Sequence, residues 1–219
     1  MVIVVGGMIG LGKTTLSRIM SEELNSKVFY ECVDNNPILP LFYGASEEEI
    51  NSKRYPFLLQ LYFLDKRFRS IKKAFVHQNN ILDRSIYEDW YFCKRNMDLG
   101  RISPLEMQIY ESILENMMEE LESLPKKSPD LFVYLKGSFE TVLSRIKSRG
   151  REYELDKKLE SYYKYIWEGY DNWVYNIYNK SDVLTVDTDK IDILNNALDR
   201  EIFLKQLREK LNNLNTVVY

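Results

Sequence analysis

Cysteine is scarce: Cys32 and Cys93 are the only two in 219 residues, so one bridge at most could form and a disulfide framework is excluded. That usage fits a reducing cytoplasm, the expected location. No run of about 18 apolar residues is present, which excludes a hydrophobic membrane-spanning helix and any membrane partner read from one. Basic surplus is missing too. Thirty Lys and Arg against 33 Asp and Glu leave a formal charge of -3, which argues against a general nucleic-acid binder. An anionic ligand must therefore be held by a local cluster of positive charge. Met1 leads straight into an apolar stretch, so no secretory signal is expected. Gly/Ser linkers, internal repeats and low-complexity blocks are absent, so residues 1–219 are expected to form one domain, large enough to bury a real core. The lone histidine, His77, falls between a helical pattern and a strand and reads as a surface residue, not a catalytic one.

What is present alternates. Val2 to Gly7, Lys27 to Val33, Asn79 to Asp83, Asp130 to Leu135 and Asp182 to Val186 are short, apolar and bounded by polar or breaker residues, as buried parallel strands are. Helical periodicity fills the gaps. Met107, Tyr110, Leu114, Met117, Met118 and Leu121 recur at spacings of three and four, behind a start signal of Ser103, Pro104 and Glu106. Strands separated by helices predict an α/β fold in three layers: a five-stranded parallel sheet with helices on both faces.

The first strand runs into "GGMIGLGKTT". Gly7, Gly12, Lys13 and Thr14 fit G-x-x-x-x-G-K-S/T, with Gly10 inside the loop and Thr15 after it. Glycines let backbone N–H groups turn inward around phosphate oxygens, and the following helix adds its positive N-terminus. Lys13 is expected to reach the β- and γ-phosphates of a nucleotide, and the Thr14 hydroxyl to meet Mg²⁺. This P-loop establishes nucleotide binding; it leaves open where the phosphate goes.

Three further features bear on that. "NKSD" (Asn179 to Asp182) matches a guanine-reading tetrapeptide, but it follows a helical pattern where a GTPase has a strand, and no D-x-x-G follows the strand containing Leu82. Arg145, Arg149 and Arg151 cluster around Gly150, either as a solvated basic face or as a lid whose guanidinium forks meet phosphate oxygens. Glu31 and Asp83 close the second and third strands, where ligands of open α/β sheets bind.

With "YECVDNNPILPLFY", "LLQLYFLDKRF", "DRSIYEDW" and "RIKSRGREYE" following the P-loop in this order, the chain resembles the deoxynucleoside kinase family, its bacterial deoxyadenosine/deoxyguanosine branch in particular. The resemblance implies a P-loop kinase fold with an Arg-rich lid, transfer of the γ-phosphoryl of ATP to a deoxynucleoside 5′-hydroxyl in nucleotide salvage, Mg²⁺ as cofactor and a homodimer. Deoxyadenosine is the expected acceptor, with deoxyguanosine or deoxycytidine behind it. By the same resemblance Glu31 lies beside the 5′-hydroxyl as general base, Arg84 holds that oxygen and its acidic partner, and Asp83 is the rival base or a Mg²⁺-water ligand. Gln60 pairs with the base; Arg67 and Asp89 form a charge pair lining the far side of the base pocket; Tyr43 and Glu154 hold the 3′-hydroxyl.

The chain departs from the family pattern at Cys93, where an aromatic residue usually stacks on the base, and at Glu31-Cys32 in place of a glutamate–proline step. Phe92 stands just before Cys93, and the stretch between Tyr43 and Gln60 is long. Read from the residues alone, Gln60 and Arg67 could be solvated helix positions, Arg67–Asp89 a surface salt bridge and Tyr43 plain core. A thymidylate-type monophosphate kinase and a non-enzymatic nucleotide switch are the competing functions. The first needs extra cations for an acceptor phosphate; the second leaves the lid arginines without a task.

Overall fold

The computed structural model describes residues 1–31, 33, 35–76, 79–120 and 129–216. Strands β1 (Val2–Gly7), β2 (Val28–Phe29), β3 (Asn80–Asp83), β4 (Leu131–Lys136) and β5 (Asp182–Asp187) form one all-parallel sheet in the order β2-β3-β1-β4-β5. Every residue of β1 is buried, as is nearly all of β4, which is why both read as continuous apolar runs. Helices α1 (Lys13–Leu24), α2 (Leu39–Gly44), α3 (Glu47–Lys53), α4 (Tyr55–Ala74), α5 (Ile86–Asp98), α6 (Pro104–Glu120), α7 (Phe139–Arg149), α8 (Leu159–Asn172) and α9 (Ala197–Thr216) flank it. The expected α/β architecture is the one observed. No helix among the described residues is long and apolar enough to cross a membrane.

Register places the chemistry. Val5 pairs with Asp83 and Gly7 with Leu135, so the end of β3 lies against β1 just before the chain turns into the glycine loop. The second strand is shorter than the pattern suggested. β2 stops at Phe29, paired with Leu82, because β3 itself ends at Asp83 and the Arg84 backbone swings to a φ of 82°. No β3 residue is left opposite Glu31, so Glu31 sits beyond the strand instead of closing it. The NKSD stretch also falls as its helical approach implied. It follows α8 and a π-helical turn (Trp173–Ile177) and leads into β5, the reverse of the GTPase order.

Local signals hold at α6. The Ser103 N–H donates to Glu106 Oε2 at 2.7 Å, and the Glu106 N–H donates to Ser103 Oγ at 3.2 Å, a reciprocal capping box. The other Glu106 oxygen accepts from Arg54 Nε at 2.7 Å, which ties the long stretch after Tyr43 onto this helix. Met107 and Tyr110 are buried and Leu114, Met117 and Met118 pack partly buried against the core, while Leu121 lies outside the described residues. His77 and Cys32 lie outside them as well; Cys93 is a free, buried thiol.

The Tyr110 hydroxyl is fully buried with no hydrogen-bond partner. A buried hydroxyl in that position costs about 1–3 kcal/mol of lost hydration. Tyr110→Phe should therefore stabilise the fold by about 1 kcal/mol, raising Tm by about 2–4 °C in a thermal melt. An unchanged or lower Tm would mean that the hydroxyl has a partner in solution.

Candidate active site

The loop between β1 and α1 is built on backbone conformations that L side chains avoid. Gly7 has a φ of 137°, and a Cβ there would lie 2.4 Å from the Leu135 carbonyl; Gly12, capping α1, has a φ of 89°. Lys13 Nζ donates to the Gly7 and Met8 carbonyls at 3.0 Å each, so the lysine lies folded over its own loop. Burial, with the Arg84 charge beside it, pulls its ammonium down to about 7. Thr14 Oγ1 donates to Asp83 Oδ2 at 2.6 Å. Asp83 Oδ1, buried, has no partner. A hydroxyl and a carboxylate oxygen side by side at the end of the loop are the hard oxygen donors that Mg²⁺ prefers, so Thr14 and Asp83 fit that ion. Among the described residues no cluster of three or more His, Cys, Asp or Glu could hold a metal without the help of other ligands.

A cavity of about 580 Å³ opens from this loop and reaches between α2, α4, α5 and the end of α7. Glu31 stands at its middle. Its Oε1 accepts from Arg67 Nη2 at 3.0 Å and from Arg84 Nε at 2.8 Å. Burial pushes the carboxyl up, but the two guanidiniums outweigh it and hold Glu31 at about 2. Asp83 moves the other way, raised by burial and then by the Glu31 charge. The two carboxylates thus take different protonation tendencies from their surroundings.

Arg67 is no surface residue. It is 4% exposed, donating from Nε to Asp89 Oδ2 at 3.0 Å and from Nη1 to the Asp83 carbonyl at 2.7 Å. The pair differs from expectation in one respect: Asp89 lines the cavity, whereas Arg67 stands behind it. The cause is that Arg67 is drawn toward three acceptors at once, on Glu31, Asp83 and Asp89. Gln60, two turns earlier on α4, is buried too and faces the cavity with its Oε1 unpartnered. Phe92 supplies an aromatic wall, its ring 4.9 Å from the Arg84 guanidinium carbon, while Cys93 is turned into the core.

At the other side Tyr43 is both core and cavity wall, its ring stacked on Tyr153 at 5.9 Å. Glu154 lines the same cavity, but its carboxylate is taken by the lid cluster: Arg149 bonds to Oε2 and Arg151 lies 3.6 Å from Oε1. Arg145 reaches the glycine loop and donates from Nη1 to the Leu11 carbonyl at 3.0 Å. The three arginines therefore face the cavity and are no solvated stripe. Thr15 and Gly10 line it beside Thr14.

Sequence reasoning missed Glu88 and Tyr170. Glu88 is fully buried, receives the Gly7 N–H at 2.8 Å and bonds to the Tyr170 hydroxyl. Ser85 three positions before it was a legible capping-box signal; nothing local pointed to Tyr170.

Glycine loop, loop lysine, hydroxyl–carboxylate pair and arginine cluster around one cavity define a P-loop phosphotransferase site. Comparison with known proteins narrows the class. The deoxynucleoside kinase family model matches residues 3–212. A deoxyguanosine kinase of Lactobacillus johnsonii is 48% identical over 216 residues, covering 97% of this chain and 93% of that protein. A deoxyadenosine kinase of Lactobacillus acidophilus is 42% identical over 216 residues, covering 97% of both. The solved structure of a deoxyadenosine kinase from M. mycoides with bound dATP superposes with a TM-score of 0.76 at 30% identity, covering 95% of this chain and all of that one. The chain belongs to the deoxynucleoside kinase family.

Lys13 offers a direct test of the loop. At about pH 8 its side chain is largely neutral in the free protein, because its pKa lies at about 7, and a bound phosphate restores the ammonium. Calorimetry in buffers of different ionisation enthalpy should show uptake of about one proton on nucleotide binding at pH 8, shrinking toward pH 6. Lys13→Met should abolish the uptake; its persistence would assign the proton to another group.

Proposed function

We propose that this chain, as one kinase domain, transfers the γ-phosphoryl of ATP to the 5′-hydroxyl of a purine 2′-deoxynucleoside, deoxyadenosine first, with Mg²⁺ as cofactor. The observation that carries this is a single cavity joining the glycine loop to Glu31 and, beyond it, to the unpartnered Gln60 Oε1 and the Asp89 carboxylate.

Glu31 is the candidate base beside the 5′-hydroxyl, with Arg84 holding that hydroxyl oxygen and Glu31 Oε1. Held ionised at about 2, it is a weak base in the ground state and accepts the proton late, when the new bond to phosphorus has formed. That suits a loose transition state, where orientation of the nucleophile contributes more than its basicity. Asp83 is the rival acceptor, raised by burial but tied to the Thr14 hydroxyl. Thr14 and Asp83 would hold Mg²⁺, which when bound would neutralise phosphate charge. Lys13 and the lid arginines Arg145, Arg149 and Arg151 complete the positive surround for the transferring group and exclude water from it.

The base reading rests on donors and acceptors. Gln60 offers an acceptor and two donors, enough for a two-point pairing with a purine edge. Asp89 presents a carboxylate to the cavity with Arg67 behind it, and a carboxylate accepts from an exocyclic amine such as that of adenine. Deoxyguanosine is the second reading, favoured by the 48% identical relative named a deoxyguanosine kinase. A monophosphate acceptor is disfavoured, since both arginines near Glu31 are already engaged by carboxylates. Tyr43 and Glu154 remain the proposed holders of the 3′-hydroxyl.

An ADP-release assay with Mg-ATP over the deoxynucleosides and their monophosphates should give turnover with deoxyadenosine, and more slowly with deoxyguanosine or deoxycytidine. Preference for deoxyguanosine would replace the base assignment, and turnover with monophosphates alone would sink the acceptor assignment. In the same assay Glu31→Gln should lower kcat by about 10²–10³-fold while ATP affinity changes less than about threefold. An unchanged kcat would move the base role to Asp83.

A further inference from the structure

The reaction proposed above gives Glu88 no task, yet its side chain is fully buried and fully engaged. Oε2 accepts from the Ser85 N–H at 2.7 Å, closing the capping box of α5. A capping-box glutamate has finished its work at that point. Here the other oxygen continues. Oε1 accepts from the Gly7 N–H at 2.8 Å and from the Tyr170 hydroxyl of α8, and it lies 3.5 Å from Arg84 Nη1. The carboxylate is pressed onto the junction of strand and loop: a Cβ on Gly6 would fall 2.6 Å from Oε2 and 2.1 Å from the Phe132 ring.

Arg84 needs such a support. Its φ of 82° is a left-handed backbone that arginine seldom adopts, and strain of this kind persists only where the surroundings over-determine it. The Arg84 N–H donates to the Val5 carbonyl at 2.9 Å, and its Nε holds Glu31 at 2.8 Å. One carboxylate therefore touches the first glycine of the phosphate loop, the cap of the helix that follows Arg84, and the Arg84 guanidinium.

We infer that Glu88 is a positioning residue, which fixes the register between the phosphate loop and the Arg84–Glu31 pair so that donor phosphorus and acceptor oxygen stay in line. It moves no proton and touches no substrate; it acts through Gly7 and Arg84, with Tyr170 as its own anchor. The inference rests on the deoxynucleoside kinase reading of the site.

Glu88→Gln keeps the size but removes the charge and turns an N–H₂ toward donors that expect an acceptor. In protein shown to be folded by a cooperative thermal melt, kcat should fall about 10–100-fold while KM for ATP and for the deoxynucleoside each move less than about threefold. Tyr170→Phe, which leaves the carboxylate and its N–H partners in place, should lower kcat about three- to tenfold with both KM values unchanged. A Glu88→Gln variant with kcat within about threefold of the parent, or one whose loss lies in KM, overturns the inference and leaves a plain helix cap. Should Glu88→Gln not fold, full kcat in Tyr170→Phe overturns it equally. The parent protein is run beside both variants: if it turns over no deoxynucleoside, the reading of the site has failed, and the inference with it.

Discussion

The site depends on one constraint: two guanidiniums and their carboxylates are buried together, and each charge is tolerable only because the others are there. Arg67 and Arg84 share Glu31, Arg67 also holds Asp89, and Arg84 leans on Glu88. Moving one such ion out of water costs several kcal/mol unless its partners are in place. Removing a member would leave a buried charge uncompensated, so the geometry around the reacting atoms is held by mutual necessity more than by any one strong bond. Arg84 in its left-handed backbone and Arg67 at the meeting of Glu31, Asp83 and Asp89 are the joints of that frame.

The same frame separates the titration behaviour of groups that lie close together. Glu31 is kept ionised by two guanidiniums, whereas Asp83, with burial and the Glu31 charge against it, is raised. Lys13 is pulled down by burial and by Arg84, which leaves the loop lysine responsive to an arriving anion. Cations at the lid side are satisfied by Glu154 and the Leu11 carbonyl. The cavity thus offers phosphate-binding groups at one end and paired polar groups at the other, with an aromatic wall from Phe92 beside them.

Legibility in the sequence followed locality. The glycine loop could be read because its function lies in consecutive backbone conformations, and β1 and β4 because burial on both faces writes a continuous apolar run. The α6 start was legible through Ser103 and Glu106 for the same reason. Glu31 was misplaced at a strand end because β2 length depends on β3, fifty positions away, which stops where Arg84 turns. Phe92 and Cys93 could not be told apart by spacing alone, since both lie on one side of α5 and only packing decides which faces the cavity.

By itself the sequence determined the parallel α/β sheet, the phosphate loop at the end of β1 and the set of residues available to act on an acceptor. These follow from periodicity, from the steric freedom of glycine and from fixed motif spacing, all of them local properties. Tertiary structure alone decided how the charges pair: that Arg67 stands behind Asp89, that Glu154 goes to the lid arginines, and that Glu88 and Tyr170 meet behind Gly7 across 82 positions of chain. Burial and the mutual neutralisation of charges are set by distances in space, and no spacing along the chain encodes them.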